Sequence, residues 1–231
     1  MRHSLIVSAI VVCLLHAAAA PATAQHTHDA QLWVQTLALG RIGDWRTHLE
    51  VQPRVFDDGS ELGLTVLRGA VGRALHPRVS AWLGYAWVPR TFGPGVRHEQ
   101  RIWQQLLLAP PAFGGWVPQV RLRLEQRWQN EPWDGSSHRL RTLVRAQRPL
   151  DAGRRWQLAG YNELMVTFDE TPDGPRQGYD RNRVYAGLMR TVAPALTVEG
   201  GYIWEHSPID GPGDRHDHAA IVVMTLQWPR R

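Results

Sequence analysis

The chain has 231 residues, with 26 basic and 21 acidic side chains, a formal net charge of +5 and one cysteine. This length fits a single domain, and the nearly balanced charge excludes a polycationic nucleic-acid-binding protein. A single cysteine excludes an intramolecular disulfide and a multi-cysteine metal site.

Residues 1–24 are predicted to be a signal peptide. Arg2 lies in a short basic start, residues 5–15 are apolar, and residues 22–24 have the small side chains of a cleavage site. The mature domain would then be residues 25–231. No later segment approaches the roughly 18 apolar residues of a membrane helix, so strands would have to hold this domain in a membrane.

Apolar and polar side chains alternate with a period of two along the mature chain, which predicts strands. The segments are 30–39, 44–55, 61–75, 78–89, 96–108, 116–130, 137–149, 154–168, 179–192, 195–206 and 216–228. Short turns alternate with longer loops, as in bacterial transmembrane barrels. Because such barrels normally have an even number of strands, we expect ten to twelve, with twelve preferred.

Residues 155–206 show the alternation over an unusual length. One face of the first strand in this stretch is apolar and has Trp156 and Phe168 at its ends, whereas Glu163 and Thr167 lie on the other face. A dozen residues at about 3.3 Å each, tilted by about 40°, would cross the hydrocarbon of a bilayer. The predicted fold is therefore all-β, an antiparallel transmembrane β-barrel with its charged side chains facing the lumen.

Tryptophan positions favour the same interpretation, because many of them lie within a few residues of a turn. Interfacial aromatic girdles have this distribution. The residues are Trp45, Trp87, Trp116, Trp128, Trp156, Trp204 and Trp228. The structural alternative is a soluble periplasmic barrel or sandwich, with the apolar face inside and the arginines in water.

Opposite charges are expected to meet across the late strands. A symmetrical loop after the eighth segment places Glu163 opposite Arg183. A turn centred on Ala193 places Arg181 opposite Glu205 and Gly187 opposite Glu199. We predict a charge clasp that sets the shape of the lumen, formed by Glu163, Arg181, Arg183, Glu199 and Glu205.

These late strands resemble a known bacterial family. Glu163, the run Arg181-Asn182-Arg183-Val184-Tyr185-Ala186-Gly187-Leu188 and the run Glu199-Gly200-Gly201-Tyr202 are similar to its late strands, with weaker similarity at Trp33, Arg54 and Gly84-Tyr85. The family is a group of outer-membrane barrels classed as domain of unknown function 2490. The resemblance implies a barrel in a Gram-negative outer membrane and implies no activity.

The fifth to seventh segments turn many arginines toward the lumen, against only Glu99 and Glu125. The strongest track consists of Arg121, Arg123, Arg127, Arg139, Arg141 and Arg145. In one interpretation these side chains form a polar plug, and the barrel has a structural or interaction role without transport. In the other they line a small channel that prefers anions, which is the more specific hypothesis.

The expected partners follow from the predicted location. They are outer-membrane lipid and lipopolysaccharide, the barrel-insertion machinery and small anionic solutes, with no nucleic acid. The last strand resembles the C-terminal signal that the insertion machinery reads, because Val222, Met224, Leu226 and Trp228 share one face. It departs from that signal in the three residues that follow the tryptophan.

An outer-membrane hydrolase is a further alternative, and its nucleophile, base and acid would lie at the rim. The candidates are His206, Ser207, Asp210, Asp214, His216 and His218, or Ser136, Ser137 and His138. Neither group has motif spacing, and Ser and Asp are ordinary turn residues. We therefore assign no catalytic residue and no cofactor.

Histidines near the last loop raise the question of a metal. His206, His216 and His218 would converge if the loop closes a hairpin, with Asp214 or Asp217 nearby. Imidazole nitrogens suit zinc or copper. Because no spacing fixes the geometry, the sequence alone assigns no metal site.

Overall fold

The computed structural model describes residues 25–91, 95–129, 136–171, 175–209 and 213–228, so the predicted signal peptide lies outside it. This part of the chain is all-β. The strands are β1 (Gln25–Ile42), β2 (Trp45–Phe56), β3 (Glu61–His76), β4 (Val79–Arg90), β5 (Arg97–Leu108), β6 (Val117–Gln129), β7 (Ser136–Pro149), β8 (Trp156–Thr167), β9 (Gly178–Ala193), β10 (Leu196–Pro208) and β11 (Gly213–Gln227). The described ranges contain no helix that is long and apolar enough to cross a membrane.

The strands form one closed barrel in which each pairs antiparallel with the next. The barrel is therefore confirmed, but the preferred count of twelve strands is wrong, because the described barrel has eleven. The first predicted segment is a full strand of 18 residues, β1. In an odd-numbered barrel the first and last strands run in the same direction, and β1 accordingly pairs in parallel with β11.

The two ends of the barrel differ in their connections. We call the end with the connections 57–60, 91–96, 130–135, 168–177 and 209–212 the loop rim, and the end with 43–44, 77–78, 109–116, 150–155 and 194–195 the turn rim. Parallel closure places Gln25 beside Gly213 at the loop rim and Leu39 beside Gln227 near the turn rim. The chain therefore enters and leaves the barrel at opposite rims.

The turn before β8 is held by one carboxylate. Asp151 accepts hydrogen bonds from the backbone N–H groups of Arg155 (3.1 Å) and Trp156 (2.6 Å). These two donors stabilise the charged form, so they lower the pKa of Asp151 below its usual value.

The register of the late strands agrees with the prediction in one hairpin and differs in the next. Glu163 pairs with Arg183, as predicted. Between β9 and β10 the register is shifted by two residues, so Glu205 pairs with Arg183 and Gly187 pairs with Gly201. The reason is that the turn occupies residues 194 and 195, beyond the expected centre, with an irregularity next to Leu196.

Alternation along each strand separates an apolar outer face from a lumen face. Large apolar side chains are exposed on the outside of every strand, for example Leu49, Leu83, Ile102 and Val144. Exposed tryptophans lie near both ends of this surface. Those nearest the turn rim are Trp45, Trp156 and Trp228, and those nearest the loop rim are Trp87 and Trp128.

Candidate functional site: the lumen and its loop-rim cavity

Side chains fill the middle of the lumen. Trp103, Met165 and Ile203 are at most 1% exposed, and Glu125 is 0% exposed. A water-filled pore at this level would leave such inward side chains accessible. The expectation of a polar lumen is therefore wrong in part, because the alternation that turns arginines inward also turns bulky apolar residues inward.

Trp103 shows how tightly this layer is packed. The guanidinium of Arg123 lies 4.1 Å from the centre of its ring. On the neighbouring strand, Gly84 faces the same ring, and a Cβ atom at this position would collide with it. Glycine is required here because the indole occupies the space of a side chain.

Buried carboxylates organise the arginines around this layer. Glu125 accepts hydrogen bonds from Arg139 (2.6 Å) and Arg141 (3.0 Å), and a nitrogen of Arg123 lies 3.8 Å away. Glu163 accepts from Arg141 at 2.7 Å and also from Arg121. Arg141 thus bridges the two carboxylates, which lie on β6 and β8.

A second group of ion pairs lies on β2 to β5. Glu99 is bonded to Arg90 (2.7 Å) and Arg101 (2.8 Å), with a nitrogen of Arg127 at 3.8 Å. Glu50 is bonded to Arg68 at 2.6 Å. These carboxylates are fully buried or nearly so, and each has at least one oxygen bonded to an arginine.

The five residues of the predicted charge clasp form ion pairs in the lumen, with partly different partners from those expected. Arg183 is bonded to Glu205 and lies 3.5 Å from Glu163. Arg181 reaches Glu205 at 2.8 Å although the two are not paired in the ladder. Glu199 instead bonds to Arg145 at 2.7 Å, which joins β10 to β7 across the lumen.

All six arginines of the predicted track are bonded within the lumen. Carboxylates bond to four of them, Arg121, Arg139, Arg141 and Arg145. Arg123 bonds to Gln105, and Arg127 bonds to Ser137. Arg123, Arg127, Arg139 and Arg141 are at most 6% exposed. A role for these residues in solute passage stays a prediction.

The loop-rim half of the lumen contains a cavity of about 480 Å³. Nine arginines and only two carboxylates line it, together with apolar side chains. The arginines are Arg54, Arg68, Arg90, Arg101, Arg139, Arg141, Arg181, Arg183 and Arg215, and the acids are Glu205 and Asp217. The apolar wall includes Trp33, Phe56, Leu64, Val66, Val88 and Met165.

Arg54 differs from the other eight arginines of the cavity. Each of the eight has a carboxylate oxygen within 4.0 Å. Within the described ranges Arg54 has none, and it bonds instead to the amide oxygen of Gln52 at 2.7 and 3.0 Å. Its guanidinium lies 3.6 Å from the ring centre of Trp33. Arg54 therefore brings a positive charge to the cavity without a direct carboxylate partner, and Glu205 acts on it only from a longer distance.

The sequence similarity to known proteins extends over nearly the whole barrel. A family model described as a protein of unknown function, DUF2490, matches residues 30–216, from within β1 to the start of β11. The chain belongs to this family. It is also similar to an uncharacterised protein of Methylorubrum extorquens, with 34% identity over 232 residues, 99% of this chain and 100% of that protein.

Among the residues that the structure describes, the serine and histidine candidates of this DUF2490 barrel do not assemble into a catalytic triad. Ser137 is buried in the lumen and bonds to Arg127, whereas His138 on the other face bonds to Asp169 at 2.8 Å. The backbone N–H of His138 also donates to Asp169 and lowers the pKa of that carboxyl. Ser207 and His206 lie on opposite faces of β10, and Asp210 lies outside the described residues.

The histidines around the last hairpin meet on the outer face at the loop rim. Ligand atoms of His206, Asp214 and His216 all lie within 4.8 Å of one another. His218 is held instead by the hydroxyl of Tyr202. Asp217 turns into the lumen and bonds to Arg215. His206, His216 and Asp214 were all among the residues expected from the sequence to lie near one another, and they meet because all three fall on one face of a hairpin.

Proposed function

We propose that this protein is an outer-membrane β-barrel whose lumen is closed to passive passage. Its loop-rim cavity binds a small anion that carries an apolar group. The observation that supports this most directly is Arg54, a cavity arginine without a carboxylate partner in the described part of the barrel.

The outer face supports the membrane location. Its strands have 12 to 18 residues, its apolar side chains are exposed, and tryptophans lie near both rims. Polar side chains on this face bond to one another across strands. Gln104 and Gln126 form a reciprocal amide pair (3.1 and 3.2 Å), and Asn162 donates to Asn182 at 2.7 Å. Such pairing suits hydrocarbon, where water offers no partner.

The location has a direct test. After expression in a Gram-negative host, we expect the protein to stay in the outer-membrane fraction through washes with high salt and alkaline carbonate. We also expect its mobility in detergent gels to change on boiling, because a barrel keeps its fold in unheated detergent. Release by the washes with no change in mobility would instead support the soluble alternative.

The membrane partners follow from this location. They are outer-membrane lipid, lipopolysaccharide and the barrel-insertion machinery. The apolar face of β11 supports a role in insertion, because Val222, Met224, Leu226 and Trp228 are all exposed on the outside.

Binding in the cavity is favoured over passage through the barrel. All six arginines that suggested an anion channel are bonded to lumen side chains, and four of them are at most 6% exposed. Two of them, Arg139 and Arg141, also line the cavity, where open space near the loop rim can hold an anion. A guanidinium binds carboxylate or phosphate through charge-assisted hydrogen bonds. The apolar side chains that line the cavity among the arginines would hold an alkyl or ring group of the same ligand.

Replacing Arg54 by Gln is expected to weaken binding of hexyl phosphate about 10- to 100-fold. Hydrogen bonds to charged groups contribute about 1.5–3 kcal/mol, and about 1.4 kcal/mol corresponds to tenfold in affinity. The measurement is calorimetric titration of the refolded protein in a neutral detergent, with inorganic phosphate and hexanol as separate probes.

The matched control is Arg46→Gln. Arg46 lies on the same strand, near the turn rim and outside the cavity, so its replacement should leave the affinity unchanged. Equal affinities for the wild type and both variants would refute the cavity as the anion site. Equal binding of hexanol and hexyl phosphate would refute charge recognition.

A further inference from the structure

The loop-rim end of the β10–β11 hairpin carries a pair of histidines on the outer face. His206 and His216 are directly paired across the two strands, and their ring centroids are 5.0 Å apart. Asp214 lies two residues before His216 and therefore projects from the same face of β11. One imidazole from each strand and one carboxylate thus converge at the end of the hairpin.

One separation between ligand atoms already matches that around a small metal ion. Nε2 of His206 lies 3.4 Å from Oδ2 of Asp214. Two ligands bound at about 2.0–2.1 Å with tetrahedral geometry are about 3.3 Å apart. The ligand atoms of all three residues lie within 4.8 Å of one another, so small side-chain rotations would complete the site.

Tyr179 orients the imidazole of His206 for this role. Its hydroxyl lies 2.6 Å from Nδ1 of His206 and 3.1 Å from the carbonyl oxygen of the same residue. The hydroxyl has one proton to donate. If it donates to the carbonyl, Nδ1–H of the imidazole donates to the hydroxyl oxygen, and Nε2 presents its lone pair to Asp214. Bonds of this kind fix the tautomer of metal-binding histidines.

Stacking holds the two rings in place. The indole of Trp204 lies beside both rings and is stacked with each, with its ring centroid 6.0 Å from that of His206 and 5.6 Å from that of His216. Both imidazoles are therefore constrained before any ion binds, which reduces the entropy lost on binding.

We propose that His206, Asp214 and His216 bind one first-row divalent ion of the zinc and copper class. Imidazole and carboxylate ligands suit these ions, and copper binds such a set more tightly than zinc. Three protein ligands leave at least one position for water. The bound ion would link the end of β11 to β10. On its other side, β11 pairs with β1 and closes the barrel.

The alternative to a metal ion is a proton on His206, which would make His206 and Asp214 an ordinary ion pair. Zinc titration of the refolded full domain without a polyhistidine tag separates the two. At pH 7.5, with a chromophoric chelator as competitor, we expect one zinc per chain. We expect His206→Gln and His216→Gln each to weaken zinc binding at least 100-fold.

Two further variants distinguish a specific three-residue site from non-specific zinc binding by histidines on the surface. Tyr179→Phe should weaken zinc binding about 10- to 100-fold, because it removes the group that orients His206. His218→Gln should leave zinc binding unchanged, although His218 lies on the same face only two residues from His216. Every variant is first checked for its barrel fold by the change in gel mobility on boiling.

Copper gives an independent spectroscopic result. The paramagnetic spectrum of one bound Cu²⁺ should carry nitrogen couplings from two imidazoles in the wild type and from one in His206→Gln. The proposal is overturned if the wild type binds zinc no more tightly than the His206→Gln and His216→Gln double variant. It is also overturned if His218→Gln loses as much affinity as His216→Gln.

Discussion

Replacing Glu125 by Gln is expected to destabilise the barrel by about 3–5 kcal/mol, the usual cost of removing one partner from a buried ion pair. Glu125 is 0% exposed and accepts hydrogen bonds from Arg139 and Arg141. The neutral amide would leave these two guanidinium groups in a low-dielectric interior with less compensating charge. The amide would also point an N–H group toward the guanidinium N–H donors of Arg139 and Arg141.

Urea unfolding of the refolded protein, followed by tryptophan fluorescence, measures this loss. Glu61→Gln is the control, because Glu61 is exposed at the start of β3 and its replacement should change the free energy of unfolding by less than about 0.5 kcal/mol. Combining Glu125→Gln with Arg141→Gln should cost less than the sum of the two single changes. Additive single changes, or a loss below about 1 kcal/mol for Glu125→Gln, would contradict the central role of this carboxylate.

Planar-bilayer recordings of the refolded wild type are expected to show no discrete conductance. At the level of Trp103 and Glu125 the lumen is packed with side chains that are almost inaccessible to water. We expect a hydrated ion to find no path through such a layer, because moving it there without water is costly. In the proposed function, the cavity between this layer and the loop rim is a binding site.

The decisive comparison uses Arg123→Glu and Arg141→Glu under a salt gradient. Insertion of each protein is verified first, by its resistance to carbonate extraction from the vesicles that are fused to the bilayer. Discrete steps that prefer anions in the wild type and lose this preference in the variants would establish the arginine track as a pore lining. That result would refute the closed lumen, whereas the binding test on Arg54 would still stand on its own.

The sequence determined most of the architecture of this barrel by local rules. A period of two identifies strands and separates the outer face from the lumen, so the eleven predicted segments agree closely with β1 to β11. The same parity placed Arg121 and Glu163 on the lumen side. The pairing of Glu163 with Arg183 followed from the symmetry of one loop.

The tertiary structure alone decided the closure, the lumen and the cavity. Parallel pairing of β1 with β11 joins segments at the two ends of the chain, which no local pattern encodes. The bond between Arg145 and Glu199 crosses the lumen, so it depends on the width of the closed barrel and not on ladder register. Whether an inward arginine conducts, plugs or binds depends on these long-range neighbours. The proposal that Arg54 binds an anion therefore depends on its surroundings in the closed barrel and could not be made from the sequence alone.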